Sequence, residues 1–404
     1  MMKFDLIVIG GGAAGFFTAI QCGERNPGMR ILILEKSNKV LSKVRISGGG
    51  RCNVTHACFD PREMTSFYPR GNKELRGPFH RFLCGDMMAW LEDKGVETKI
   101  EEDGRVFPVS DSSETIIDCF MKACRNQGVQ IKTSAIVEDF SKEGAEWVIR
   151  SKGDIYRSSK LMLATGSTPA IWDLMAKKGH SIVPPVPSLF TFNINSPLLK
   201  DLPGLSMPEA GVKILYTKFA ESGPLLITHW GLSGPGILKL SAWAARELHR
   251  MNYKFEIEID WTGKGRSFVE NEIQHLRNSQ GKKMLTSLSP ISMPKRLWHR
   301  MLELLSLKEK NYASLNKQNL ADLLDMLSAH KLQVEGKSTF KDEFVTCGGI
   351  DTKEVHFKTM ESKILPDLYM AGEVLNIDAV TGGFNFQAAW TEAFIAAEAI
   401  CEIS

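Results

Sequence analysis

The chain has 404 residues, 43% hydrophobic and 24% charged, which suits two or three soluble domains and excludes a disordered or fibrous protein. Its 50 Lys and Arg against 47 Asp and Glu leave a net charge of +3, too small to demand a nucleic-acid or membrane partner. Eight scattered cysteines form no disulfide framework, and neither a signal-peptide pattern nor a run of about 18 apolar residues occurs, so a cytoplasmic protein without a membrane partner is expected.

The first predicted element is a strand, FDLIVIG, short, apolar and rich in β-branched residues. Gly10, Gly12 and Gly15 follow in GGGAAG, fitting G-x-G-x-x-G, then helical AAGFFTAIQCGER and a second strand, MRILILEK, ending at Glu35. Strand, glycine turn, helix, strand and acid together form a dinucleotide-binding βαβ unit. Its pyrophosphate sits against the helix N-terminus at Gly12, Ala13 and Ala14, and Glu35 accepts from a ribose hydroxyl. The glycine-to-acid separation exceeds the usual ~20 residues, and ERNPGM is the loop that absorbs the excess.

After Glu35 an NAD-type domain would continue with another helix and strand. This chain instead runs through Lys36 and Lys43 into SGGGRCN, Ser47 to Asn53. Three consecutive glycines, Gly48, Gly49 and Gly50, cost backbone entropy, so something approaches the backbone closely there. A loop of this kind with free N–H donors can pass beneath a pyrophosphate and along a flat ring, which points to FAD. Arg51 is expected to offset charge on the cofactor or substrate, and Asn53 to bond the flavin edge. Cys52 and Cys58 have five residues between them and Pro61 follows, which disfavours a redox disulfide and leaves Cys52 an unpaired thiol beside the flavin. Cys119 and Cys124 lie on an amphipathic helix and read as core thiols. No Cys/His cluster has metal-ligand spacing, so no metal is expected.

Further on, KLMLATGS is a strand ending in Ala164, Thr165 and Gly166, a return of the sheet to the cofactor edge. After IVPPVPSLF the pattern changes to short apolar runs with turns, LFTFNI, GVKILYTKF, GPLLITHWG and YKFEIEIDW, which predict an antiparallel barrel or sandwich. From about Lys264 to Lys337 the pattern is helical and richer in Lys and Arg, read as a solvated face in preference to a phosphate-binding surface. His229 is either a wall histidine or a substrate contact, and Ser233 has no His and acid spaced to activate it. The chain then returns through FVTCGGI to LPDLYMAGEVLNIDAVTGGFNFQAAW. That stretch predicts a strand ending at Gly372 and Glu373, a Gly382–Gly383 turn, and a long helix from near Phe384 and Asn385, whose positive end faces the flavin where charge accumulates on reduction.

VIGGGAAGFFTAI, ISGGGRCNVT, LATGS, THWGLSGPGILKLSA, TCGGI and LYMAGEVLNIDAVTGGFNFQAAWTEAF, in this order over almost the whole chain, are very similar to the BaiN-like (YhiN-like) flavoproteins, described as NAD(P)/FAD-dependent or aminoacetone-oxidase-like enzymes. The resemblance implies an α/β fold: a discontinuous Rossmann-like FAD-binding domain of the two-dinucleotide-binding type over 1–188 and 342–404. It also implies an inserted domain over 189–341, mainly β to 262 and mainly helical from 263. Carried over by position, Gly10, Gly12, Gly15, Glu35, Gly49, Arg51, Cys52, Asn53, Thr165, Gly166, Gly372, Glu373, Gly383 and Asn385 line a tightly bound, non-covalent FAD. Ala13, Ala14, Lys36, Lys43, Ser47, Gly48, Gly50, Ala164, Gly382 and Phe384 flank them in the same motifs. Ser42, His56 and the NID tripeptide depart from the family pattern, at ligand contacts more than in the fold.

The expected function is an FAD-dependent oxidoreductase moving a hydride equivalent between FAD and a small organic or steroid-like molecule in an interdomain cleft. No second G-x-G-x-x-G occurs, so NADH or NADPH would act only as a transient co-substrate. Arg51, Cys52, Asn53 and His229 are the candidates for roles in catalysis. The alternatives are a flavin-dependent RNA-modifying protein, although a nucleic-acid partner is not expected, and a non-catalytic redox sensor. The sequence carries no sign of oligomeric state.

Overall fold

The computed structural model describes residues 2–338 and 345–402, in two compact units: Met1–Val186 with Lys341–Ser404, and Pro187–Phe340. The expected boundary at 341/342 lies outside the described residues.

In the first unit, Met2–Ile9 and Ile31–Leu34 pair in parallel around the helix Ala13–Arg25. Gln130–Lys132 adds outside the second strand, Asp154–Leu163 on the other side of the first, and Leu368–Met370 beyond it, all parallel. In chain order the parallel strands therefore lie 3-2-1-4-5, the Rossmann arrangement, in which the strand order reverses between Met2–Ile9 and Asp154–Leu163. Ligands bind at the carboxyl ends of strands at such a switch point. A hairpin, Val137–Glu143 with Glu146–Ser151, and two short strands, Val355–His356 and Glu361–Ser362, extend the sheet to nine strands.

The central strands read as unbroken apolar runs because both faces are covered: Leu6, Ile7, Val8, Leu32 and Ile33 are all at most 3% exposed. Phe17 of the first helix meets Trp90, Phe120 and Trp390 edge-on or stacked, with centroids 5.1–6.3 Å apart. Trp390 belongs to the terminal helix, Phe384–Cys401, whose sequence is apolar on nearly every side because it is buried on nearly every side.

SGGG, predicted as a loop, is the end of a helix, Ser42–Gly50, which breaks at Ser47, where the chain extends, and at Gly48 and Gly49, which turn left-handed. The serine and glycines end the helix that KVRI begins, so the run is both helix stop and loop.

The second unit carries a seven-stranded antiparallel sheet: His330–Val334, Phe255–Asp260, Ser206–Ile214, Ala220–Thr228, Gly231–Ser233, Thr191–Asn193 and Gly336–Ser338, in that spatial order. The two edge strands are separated in the chain by Glu335 alone, so the sheet curls until its edges come together. Strand and helix interleave more than the predicted division at 262 and 263. Helices Pro235–Trp243 and Ala245–Arg250 follow the fifth strand in that order, and two strands lie beyond residue 329. Gly234 caps the first of these helices, with Pro235 at its first position. Helices Arg266–Gln280, Lys295–Leu304 and Lys317–Ser328 share one core with the sheet, in which Trp261, Trp298, Met301, Tyr312 and Leu323 are at most 2% exposed.

Candidate functional site

The switch point assembles segments far apart in the chain. Gly10 leaves the first strand at φ +109°, and a Cβ there would lie 2.3 Å from the carbonyl oxygen of Ala164, so only glycine lets the turn press on the fourth strand. Gly15 serves close packing, since a Cβ there would meet the Gly10 oxygen at 2.0 Å. Gly12 caps the first helix with no side-chain partner, no acid occupies its first turn with Ala13 and Ala14, and nothing lies within 4 Å of where a Cβ would stand. An uncapped helix N-terminus with open space in front of it suits a phosphate.

Glu35 lies against this turn. Its Oε2 accepts from the Gly11 N–H at 2.7 Å and its Oε1 from the Ser37 N–H at 2.8 Å, which fix the carboxylate beside the glycines and leave it lone pairs for a ribose hydroxyl. Lys36 reaches Thr168 at 3.2 Å, one turn past Thr165 and Gly166. Lys43 pairs with Glu373 across 330 positions of sequence, and Glu373 also approaches Gly166. Gly372, at φ +80°, abuts Ala14.

The opposite wall is built from Ser47–Asn53 and Gly382–Asn385. Gly49 and Gly50 have nothing within 4 Å of a Cβ position, whereas Gly48 is pressed on the Phe107 ring. Gly383 turns at φ +94° where a Cβ would lie 2.5 Å from the Thr55 oxygen and 2.8 Å from Asn53 Oδ1. The two glycine segments thereby bring the Asn53 carboxamide to the N-terminus of the terminal helix. Asn53 is 8% exposed, and its Oδ1 is buried with no hydrogen-bond partner. A buried acceptor without a donor costs free energy, and a ring N–H would satisfy it. With the open glycine cradle, this fits the residues to FAD.

Three sequence expectations change here. Arg51 does not present a spare charge: its guanidinium pairs with Glu101 at 2.6 Å and Asp111 at 3.4 Å and lies 3.9 Å from the Phe107 ring centroid. The partners arrive from a separate three-stranded sheet and its following loop, so no local spacing announced them. Asn385 spends its carboxamide on the loop before it, accepting from the Ala379 N–H at 2.9 Å and donating to the Ala379 oxygen at 3.2 Å. Cys52 is fully buried at φ +62°, its N–H donating to the Ser47 oxygen at 3.0 Å, and burial pushes its thiol up to about 12. It is therefore an inert thiol at pH 7, and Cys58, Cys119 and Cys124 are likewise free and buried.

Other side chains brace the site from behind. Phe384 stacks on Phe67 with centroids 4.2 Å apart and on His56 at 4.5 Å, and its carbonyl accepts from the Tyr68 hydroxyl. Asp378, fully buried in the loop before Gly382, forms a two-bond pair with Arg70. Trp390 Nε1 donates to the Val54 oxygen at 2.9 Å, tying the terminal helix to the segment after Asn53. Glu392, also fully buried, accepts from the Gly372 N–H at 2.6 Å.

His229, in the second unit, lies exposed in the turn between Ala220–Thr228 and Gly231–Ser233, so it is not a wall histidine. Among the described residues no helix is long and apolar enough to cross a membrane.

A family model described as the HI0933-like protein Rossmann domain matches residues 4–399. The ribosomal RNA dihydrouridine synthase of Escherichia coli strain K12 is 29% identical over 412 aligned residues, covering 98% of each chain. The 3-dehydro-bile acid delta(4,6)-reductase of Clostridium scindens is 25% identical, again with 98% coverage of both. Among solved structures, the 3-ketosteroid-delta4-(5alpha)-dehydrogenase of Rhodococcus jostii RHA1 superposes with a TM-score of 0.53 at 12% identity, over 100% of this chain and 97% of the other, a likeness of fold.

Proposed function

The chain belongs to the HI0933-like Rossmann-domain family of flavin-dependent oxidoreductases, and on that premise we propose that it reduces a carbon–carbon double bond conjugated to a carbonyl, with uridine in ribosomal RNA as substrate. One observation carries the reading. Two relatives aligned over 98% of this chain are named for chemically related reductions: dihydrouridine is uridine with its carbonyl-conjugated ring double bond saturated, and a delta(4,6) bond system in a 3-dehydro compound is conjugated to a ketone. RNA is favoured over a steroid by the higher identity of the first relative and by the basic helical segment of the second unit.

In this reading the amides at Gly12, Ala13 and Ala14 hold the pyrophosphate of FAD and Glu35 its ribose, while Gly49, Gly50, Asn53 and Gly383 line the flavin ring. FAD bound there would supply two-electron redox chemistry, with NADH or NADPH as the source of the hydride equivalent and solvent as the source of the proton that completes saturation of the double bond. The chain's own work is to bind and orient. The Arg51–Glu101–Asp111 cluster stiffens the end of the glycine run, and the Arg70–Asp378 pair fixes the loop before Gly382.

The test incubates the holoprotein with an unmodified ribosomal RNA transcript and NADPH or NADH without oxygen, then digests the RNA and weighs its nucleosides. A uridine that gains two hydrogens supports the proposal. Unchanged uridine alongside reduction of a steroid dienone would replace it with the second reading, which the bile-acid relative favours.

A further inference from the structure

Charge is segregated along this chain. Residues 264–337 carry 13 Lys and Arg against 7 Asp and Glu, a net of +6, whereas the rest of the chain carries 37 against 40, a net of −3. The overall +3 conceals this, and the fold concentrates it. Segments 281–285 and 310–313 run antiparallel through a bridge between Met284 and Asn311, with the Leu285 N–H donating to the Lys310 oxygen at 3.0 Å and the Ala313 N–H to the Gly281 oxygen at 2.8 Å. The bridge sets Lys310 beside the Lys282–Lys283 pair. Both of those lysines are exposed, and no ion pair is formed by Lys282, Lys283 or Lys310 among the described residues.

The same segment packs on the helix Lys295–Leu304. Trp298 Nε1 donates to the Leu285 oxygen at 2.7 Å, and His299 Nε2 meets the Thr286 oxygen at 2.9 Å. His299 in turn lines a groove of about 430 Å³ with Lys295, Arg296 and Arg300. The groove also holds two acids, Asp201 and Glu303; Glu303 pairs with both Arg300 and Lys308, while Arg296 and Arg300 donate to backbone oxygens of Asp201, Pro197 and Lys200, so that Lys295, Arg296, Arg300 and Lys308 together outnumber the two carboxylates. Lys295 and Arg296 also occupy the first helical turn, which holds no acid, although basic groups there oppose the helix dipole. Placement at a cost to the helix is what an anionic partner would offset.

Resting on the reading of an RNA substrate, we infer that the surface formed by Lys282, Lys283, Lys310, Lys295, Arg296 and Arg300 is where the RNA phosphate backbone docks. It positions the RNA without reading sequence, because flexible ammonium groups on an open surface contact phosphates as point charges. Its contribution is electrostatic and therefore salt-dependent.

The experiment measures binding of the holoprotein to a ribosomal RNA transcript by fluorescence anisotropy across roughly 50–300 mM potassium chloride. Wild type is compared with the triple variant Lys282→Glu, Lys283→Glu, Lys295→Glu and with a control, Lys213→Glu, Lys218→Glu, on exposed lysines of the strand Ser206–Ile214 and the turn after it. The triple variant is expected to bind at least tenfold more weakly at about 100 mM salt, with a log–log salt slope shallower by about 2–3, while keeping its bound-flavin spectrum; the control should match wild type. Equal weakening in both variants, or an unchanged triple variant, overturns the assignment of this face while the RNA reading stands. A wild-type protein with no salt-dependent RNA affinity overturns both. Equal affinity for anionic lipid vesicles overturns RNA as the partner of the surface.

Discussion

Replacing Glu392 with Gln tests whether a neutral acid is built into the flavin-binding unit. Glu392 is fully buried on the terminal helix, with one oxygen on the Gly372 N–H and the other, Oε1, without a partner. Burial pushes its carboxyl up to about 8 from 4.5, against the opposing effect of the Gly372 bond. Between these values the folded protein keeps a proton that the unfolded chain has released, so wild-type stability falls as pH rises through the window and levels off above about 8. At about 1.4 kcal/mol per pH unit, the loss between about pH 5 and 9 is roughly 4 kcal/mol. Gln keeps the shape and an acceptor for the Gly372 N–H but cannot ionise. Denaturant unfolding of wild type and E392Q at about pH 5, 7 and 9 should show the variant gaining on wild type by several kcal/mol. Parallel pH profiles for the two proteins would refute the reasoning.

Three further outcomes follow from the same structure. Asp378→Asn strips the charge from a fully buried carboxylate paired with Arg70 and should cost about 3 kcal/mol, seen as a melting point lower by roughly 6–12 °C; an unchanged melting curve would mean that the pair does not hold the loop. His180 is buried between Glu354 and Ser362, at 2.9 Å from each, and desolvation holds its imidazole below the usual range. The unfolded chain then takes up the proton first, so wild type should lose stability as pH falls below about 6.5 and His180→Gln should lose less; a steeper acid slope in the variant would contradict this. Gly10→Ala forces a Cβ against the Ala164 oxygen, so the purified variant should retain little flavin by absorbance, and full flavin content would show that the turn can relax.

The parts of the site legible in the sequence were those whose meaning is local. Gly10, Gly12 and Gly15 sit between a strand and a helix whatever surrounds them, and the apolar run from Phe4 to Ile9 needs only its own residues to read as a buried strand. Arg51 was misread because its partners, Glu101 and Asp111, stand 50 and 60 positions away and are delivered by a small sheet that local patterns do not align with the glycine run. Asn385 was placed correctly in the chain, yet its carboxamide turns back on Ala379, a choice made by the loop's own unsatisfied backbone groups. Glu392 looked like one polar position on a long apolar helix, and only the packing of that helix against the strand end at Gly372 makes it a buried acid. In the second unit, the short apolar runs revealed strands, but a sheet that curls until its edges meet depends on pairings across more than a hundred residues.

The terminal helix has a bearing on how the protein is made. Phe17, Val54 and Gly372 all find partners on Phe384–Cys401, and the fifth parallel strand comes from 368–370, after the whole second unit has been synthesised. While the ribosome is still translating residues 187–338, the first half of the nucleotide-binding sheet is already exposed with one edge and one helix face uncovered. That edge and helix face find their partners only once residues 368–401 are available, so the late-made segments complete both the sheet and the site.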